Sequence, residues 1–221
     1  MFSLQGCSQE ELIAATLRER GLDNGPGTVY SYSNFGYCLL GRVIEDASGV
    51  PYEEYIARNI LDKVGAQGTC SEQPGQVQYF TSERGDEGWV LSPSMRSDAL
   101  VSRMDAHGGW RLSASELVRV SQGIEDGTLL SAESRSLLVT PSPVSGNYGL
   151  GCCVNFHARW HTGALKGTAS VLVRTSSWGG MSWALVVNCH DEAQFPYGKL
   201  DGFAWQCVED VHAHLKAAAG D

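Results

Sequence analysis

Lysine is scarce in this chain. Four lysines stand among 221 residues: Lys63, Lys166, Lys199 and Lys216. With arginine they make 16 cations against 25 carboxylates, a net charge of −9. A phosphate backbone is held by clustered cations, so nucleic acid is excluded as the main partner. Long apolar runs are missing as well: no segment approaches the roughly 20 residues of a membrane-spanning helix. The N-terminus, MFSLQGCSQEE, carries neither a basic segment nor an apolar one behind it, and as written the chain reads as cytoplasmic. Neither a Cys-x-x-Cys pair nor a His-Glu-x-x-His helix is present. Cys152, Cys153, His157 and His161 do not form a metal set, because adjacent strand residues point to opposite faces. No metal and no other cofactor is therefore expected. The seven cysteines are odd in number and sit mostly in apolar segments, which reads as free thiols in a reducing compartment.

What is present is enough chain for one domain or two closely packed lobes. Ser8, with Glu11 three residues on, predicts a capping box opening a helix that runs to about Arg20. The sequence Asp23-Asn24-Gly25-Pro26-Gly27 predicts a turn. Asn34 opens a second helix with Leu39, Leu40, Val43 and Ile44 on its apolar face, closed by Ser48-Gly49. Pro51 suits the first turn of a third, from Tyr52 to Leu61. Residues 66 to 109 show no clear period, with strand-like pieces at 76–81 and 88–91. The Trp and Tyr residues of 66–110 either line a substrate mouth or pack in the core or on the surface. Ser113 and Glu116 cap a fourth helix ending near Gly123, and a fifth covers 131–138.

The character changes after residue 140. Three β-rich runs are expected, at 148–156, 169–175 and 182–189, with a hairpin at Trp178-Gly179-Gly180 and a last helix over 202–218. The expected fold is α+β, a single incomplete domain: 8–140 a mostly helical lobe, 148–221 an antiparallel sheet of about three strands and a covering helix.

Three stretches carry a resemblance. PGTVYSYSNFGYCLLGRVIEDASGVPYEEYI contains Tyr32-Ser33-Asn34. DAHGGWRLSASELVRV follows. YGLG then precedes HTGALKGTASVLVR, with His161-Thr162-Gly163. In this order they resemble the serine β-lactamase and penicillin-binding-protein superfamily, on the branch of class C β-lactamases, DD-peptidases and related esterases. The resemblance implies hydrolysis of a small ester, amide or lactam through an acyl-serine. It makes Tyr32 the general base that moves the serine proton. A phenol suits that task when a neighbouring cation favours its phenolate. It gives Asn34 the substrate amide, His161 and Thr162 the opposite wall, and Gly163 the close approach of the substrate backbone. The amide of Ala164 becomes half of an oxyanion hole. Without the resemblance, Asn34 reads as a helix N-cap and His161 as an ordinary strand histidine.

The superfamily's nucleophile motif, Ser-x-x-Lys, is not found. Three residues before the four lysines stand Ile60, Gly163, Pro196 and Ala213. Ser182, in GGMSWA, is not in a Gly-x-Ser-x-Gly setting, and Ser31 and Ser33 have no Lys or His near in sequence. With 31 residues before Tyr32, the resemblance covers the later two-thirds of the superfamily fold and starts past the nucleophile. The expectation is a truncated family member, inactive alone. The alternatives are a non-catalytic binding descendant, and half of a split enzyme whose nucleophile arrives on a partner chain. An exposed sheet edge, open to a partner strand or to self-association, is also expected.

Overall fold

The computed structural model describes residues 8–21, 23–71, 77–82, 88–92, 102–176, 179–190 and 197–219. Helix α1 (Gln9–Glu19) starts with the expected capping box: Ser8 Oγ accepts from the Glu11 amide and Glu11 accepts from the Ser8 amide at 2.8 Å. Helix α2 (Asn34–Ser48) ends at Gly49, whose φ of +73° is a left-handed position that glycine adopts without steric cost. Its N-cap is Ser33, whose Oγ accepts the Gly36 amide at 3.0 Å. The reading of Asn34 as the cap is thereby corrected. Asn34 is the first helical residue, and its side chain is left for another partner.

Helix α3 (Tyr52–Ile56) continues into a π turn, Ala57–Leu61, and a 3-10 turn, Asp62–Val64. A short antiparallel ribbon follows, β1 (Phe80–Ser82) with β2 (Trp89–Leu91). Gln76, the start of the expected strand-like piece, lies outside the described residues. Helices α4 (Ala114–Glu125) and α5 (Ala132–Leu138) precede the main sheet. That sheet has four antiparallel strands in the order β3 (Cys153–Val154), β4 (Ala158–Leu165), β5 (Thr168–Thr175) and β6 (Ser182–Val187). The closing helix, α6 (Tyr197–Ala219), starts earlier than expected.

The run expected at 148–156 pairs only at Cys153–Val154, because Gly149 and Gly151 put a turn in it. Gly151 has φ of +80°, and a methyl on Gly149 would run into the carbonyl of Leu138. The long strand is instead β4, whose sequence ARWHTGAL has no clean alternation to read. In the expected hairpin at 178–180, Trp178 lies outside the described residues, while Gly179 and Gly180 have φ of +71° and +79°.

The sheet is covered on both faces. On one, Ala158, Val171, Val173 and Trp183 pack with Ala204 of α6, joined by Trp160, Leu185, Trp205 and Val208. Each fully buried Val there contributes about 2 kcal/mol of apolar burial. On the other face α4 docks through polar contacts. Glu125 pairs with Arg159 at 2.7 Å and Arg174 at 3.8 Å, and Ser121 hydrogen-bonds Ser182 at 2.9 Å. The architecture is α+β, a helical part and an antiparallel sheet covered by the C-terminal helix.

In the helical part, Arg42 ties α2 to α1 and to the 102–109 turn through Gln9 and Asp105. The expected apolar face of α2 divides. Leu39 and Ile44 are half-buried, while Leu40 and Val43 are 52% and 60% exposed and Tyr37 beside them is 37% exposed. Among the described residues six cysteines are free, and no helix is long and apolar enough to cross a membrane.

Candidate active site

The N-terminal end of α2 and strand β4 come together. Tyr32 lies on the extended lead into α2, and its hydroxyl donates to Asn34 Oδ1 at 3.3 Å. Because Ser33 does the capping, Asn34 Oδ1 is available to accept that bond. The Tyr32 ring is stacked against the His161 imidazole, with centroids 6.5 Å apart and planes 30° apart. His161 sits on β4 opposite Leu172 of β5. The second and third motifs, remote in sequence, therefore share one small volume.

A further tyrosine, Tyr148, closes on the same imidazole, and Tyr30 and Tyr37 pack or bond to it in turn. The Tyr148 hydroxyl is 3.0 Å from His161 Nε2, with the rings nearly perpendicular at 78°. Tyr30 packs on Tyr148 at 5.7 Å. The Tyr37 hydroxyl is coupled to that of Tyr148. Burial, reinforced by Tyr37, pushes Tyr148 well above the usual phenol range. Burial also raises Tyr37, partly offset by its bond to Tyr148. Both therefore keep their protons at any physiological pH. Tyr148 and Tyr37 were not among the expected site residues, although both lie inside the quoted stretches. Nothing in their local spacing says that Tyr148 meets His161 or that Tyr37 meets Tyr148.

Strand alternation decides what the rest of the third motif presents. The Ala158 carbonyl accepts the Asn155 amide at 2.9 Å and the Ala158 amide donates to Asn155 Oδ1 at 2.8 Å, so the Ala158 main chain faces β3. The main-chain groups of Trp160, Thr162 and Ala164 point the same way. β3 pairs only with Arg159 and Trp160. Thr162 and Ala164 thus turn their amides to an edge that no described strand covers. The side chains alternate too. His161 and Gly163 lie on the face of Arg159, toward α4, while Thr162 and Ala164 lie on the α6 face with Ala158 and Val171. The Thr162 side chain is therefore not brought beside His161, Tyr32 and Asn34. A methyl on Gly163 would approach Ser170 Oγ to 3.2 Å, so this position favours glycine for space.

The arrangement brings a phenol, an amide and an imidazole together where α2 meets β4, with outward main-chain amides further along that strand, a set suited to polarising a carbonyl and moving a proton. Among the described residues no Lys or Arg is paired with Tyr32. Other candidates fall elsewhere. Ser182 is bonded to Ser121 in the α4 seam, and Trp110 packs edge-on to Tyr52 at 6.5 Å as a core contact. His107 lies in the 102–109 turn, where burial lowers its pKa.

The sequence pattern of the family described as Beta-lactamase matches residues 4–199. The chain belongs to the Beta-lactamase family.

Within that family it is similar to penicillin-binding protein 4 of Amycolatopsis lactamdurans, 28% identical over 127 residues, covering 53% of this chain and 33% of that protein. Its fold is similar to that of the D-amino acid amidase from Ochrobactrum anthropi SV3, with a TM-score of 0.68 at 18% identity, covering 85% of this chain and 60% of that one. It is also similar to a penicillin-binding protein from Bacillus halodurans, with a TM-score of 0.67 at 17% identity over 86% of this chain and 62% of that one. The chain spans 13% to 45% of the length of the curated relatives it matches. This Beta-lactamase family chain is a β-lactamase-like serine hydrolase family member whose Tyr-Ser-Asn and His-Thr-Gly segments meet through Tyr32 and His161.

Proposed function

We propose that the chain supplies two walls of a serine-hydrolase site acting on a small ester, amide or lactam through an acyl-serine. The carrying observation is the stacking of Tyr32 on His161 at 6.5 Å, with Asn34 joined to Tyr32. In the proposed reaction a serine Oγ attacks the substrate carbonyl carbon and its proton passes to Tyr32. The leaving group departs with a proton, and water then releases the acyl group. Asn34 orients the substrate, and His161 lines the facing wall. Thr162 contributes through its main chain, since its side chain turns to α6. Gly163 leaves room for the substrate backbone. The open-edge position of the Ala164 amide supports its role as one oxyanion donor.

The 221 residues contain no Ser-x-x-Lys. Two walls without a nucleophile do not form an acyl-enzyme, so this chain alone turns over little or nothing. Intact mass before and after a fluorophosphonate tests the reading. The expected result is an unchanged 23.8 kDa for this chain, and a single serine adduct on a longer form that carries Ser-x-x-Lys. Rapid stoichiometric labelling of this chain overturns it.

One observation favours a split arrangement. Tyr37, Leu40 and Val43 form an exposed apolar stripe on α2 that starts beside the site. A helix bearing Ser-x-x-Lys and seated on that stripe would bring its serine toward Tyr32. The open β4 edge is a second place for a partner strand or a second copy. Co-purification of a Ser-x-x-Lys polypeptide with the wild type, lost with Leu40→Gln and Val43→Gln together, supports the split arrangement. Equal recovery with both forms counts against it.

A further inference from the structure

We infer that Tyr148 is a positioning residue that fixes the His161 imidazole as its Nδ1–H tautomer, by donating its hydroxyl proton to Nε2. The part this plays in catalysis rests on the reading of His161 given above; the tautomer itself does not.

The geometry is a hydroxyl 3.0 Å from Nε2, with Tyr148 edge-on and Tyr32 stacked on the imidazole. The ring is therefore held in a slot between two aromatic side chains. A Tyr–His bond at this distance can run either way. Phenol O–H is a far stronger acid than the N–H of a neutral imidazole, and the imidazole nitrogen is a far better acceptor than a phenol oxygen. The direction O–H to Nε2 therefore pairs the better donor with the better acceptor. Burial keeps the proton on Tyr148, and of the two acceptors within its reach, the Tyr37 oxygen and His161 Nε2, the imidazole nitrogen is the better. In a histidine, the partner of one ring nitrogen decides which nitrogen carries the proton. With Nε2 accepting, the proton stays on Nδ1.

Free histidine in water prefers the opposite tautomer, so the lock is a specific consequence of the fold. It leaves the imidazole form of the third-motif residue with one outward N–H in a fixed orientation. Among the described residues no hydrogen bond engages Nδ1, so Nδ1–H is the group left for a ligand. A neutral N–H suits a carbonyl or ester oxygen, whereas a fixed cation would favour a carboxylate.

The test is nitrogen NMR of the histidine side chains in the 221-residue chain, at about pH 8, where ordinary imidazoles are neutral. His161→Gln assigns the signal. The expected spectrum shows His161 with a bare Nε2 and a protonated Nδ1. Tyr148→Phe should invert that pattern, with the signals of His107, His157, His190, His212 and His214 unchanged as a check on folding. A protonated Nε2 in the wild type overturns the inference, as does an Nδ1–H that persists in Tyr148→Phe. The wild-type spectrum decides even where the variant fails to fold. In a longer, nucleophile-bearing form, Tyr148→Phe should lower kcat about tenfold, the scale of one lost orienting hydrogen bond, with KM changed little. A locked tautomer with no loss of turnover would leave the tautomer standing and remove the functional reading of His161 alone.

Discussion

Arg159 on β4 reaches across the sheet to Glu125 at the end of α4, with 2.7 Å between the charged groups. The Arg159 side chain is 11% exposed, and Arg174 from the next strand shares the same carboxylate. This contact fixes α4 against the face that carries His161. Glu125→Ala should cost about 2 kcal/mol, below the usual range for breaking a fully buried pair because Glu125 keeps some contact with water. Glu54→Ala, at the exposed pair with Arg58, should cost under about 0.5 kcal/mol. Urea unfolding of the two variants compares them directly. Equal small losses would mean that the α4 seam is held by something other than this ion pair.

Gly41 lies where α2 meets the 102–109 turn, and a methyl there would run into that of Ala106. Alanine is intrinsically better in a helix by about 1 kcal/mol. Overpacking of this kind costs about 1–3 kcal/mol. Gly41→Ala should therefore be destabilising overall, read as a lower urea midpoint at unchanged slope. A raised midpoint would show that the turn yields to the added methyl.

The thiols should separate by reactivity. Cys38 and Cys70 are 0% and 3% exposed, and burial pushes both thiols up, Cys70 far above the usual range. Cys207 on α6 is exposed. Maleimide at neutral pH, followed by peptide mass spectrometry, should modify Cys207 first and leave Cys38 and Cys70 until urea is added. Early labelling of Cys38 would mean that the α1–α2 packing opens readily.

Acid should weaken the packing between α3 and the segment after it through Glu53. Burial alone would raise this carboxyl, but bonds from Thr69, Ser71 and the amides of Cys70 and Ser71 outweigh it and hold the pKa below normal. A group depressed in the folded state contributes stability above its unfolded pKa and loses it as pH falls through its folded pKa. Stability measured from pH 7 downward should fall across and below the ordinary carboxylate range. Glu53→Gln should flatten that fall while lowering stability at neutral pH. An unchanged acid profile in Glu53→Gln would assign the acid sensitivity to other carboxylates.

Local chemistry made much of this legible. The capping boxes at Ser8–Glu11 and Ser113–Glu116 are complete in four residues, and both helices start there. β5 alternates strictly, and its buried residues are Ala169, Val171, Val173 and Thr175. β4 was hidden from periodicity because Arg159 faces a carboxylate, Trp160 a core and His161 a site. Its neighbours in space, not in sequence, set each choice. Tyr32, Asn34 and His161 could be picked from short motifs. Tyr148 could not, because what makes it important is a hydroxyl that meets His161 only after β4 has been placed.

The stripe of Tyr37, Leu40 and Val43 on α2 has a thermal consequence. Heat capacity rises on unfolding in proportion to the apolar surface newly met by water, about 12–15 cal/mol/K per residue in closed domains. Surface that is already wet adds nothing. The stripe therefore contributes nothing to the heat-capacity increment of the chain by itself. Whatever covers that stripe should steepen the stability curve, so calorimetry would register its arrival before any assay of turnover.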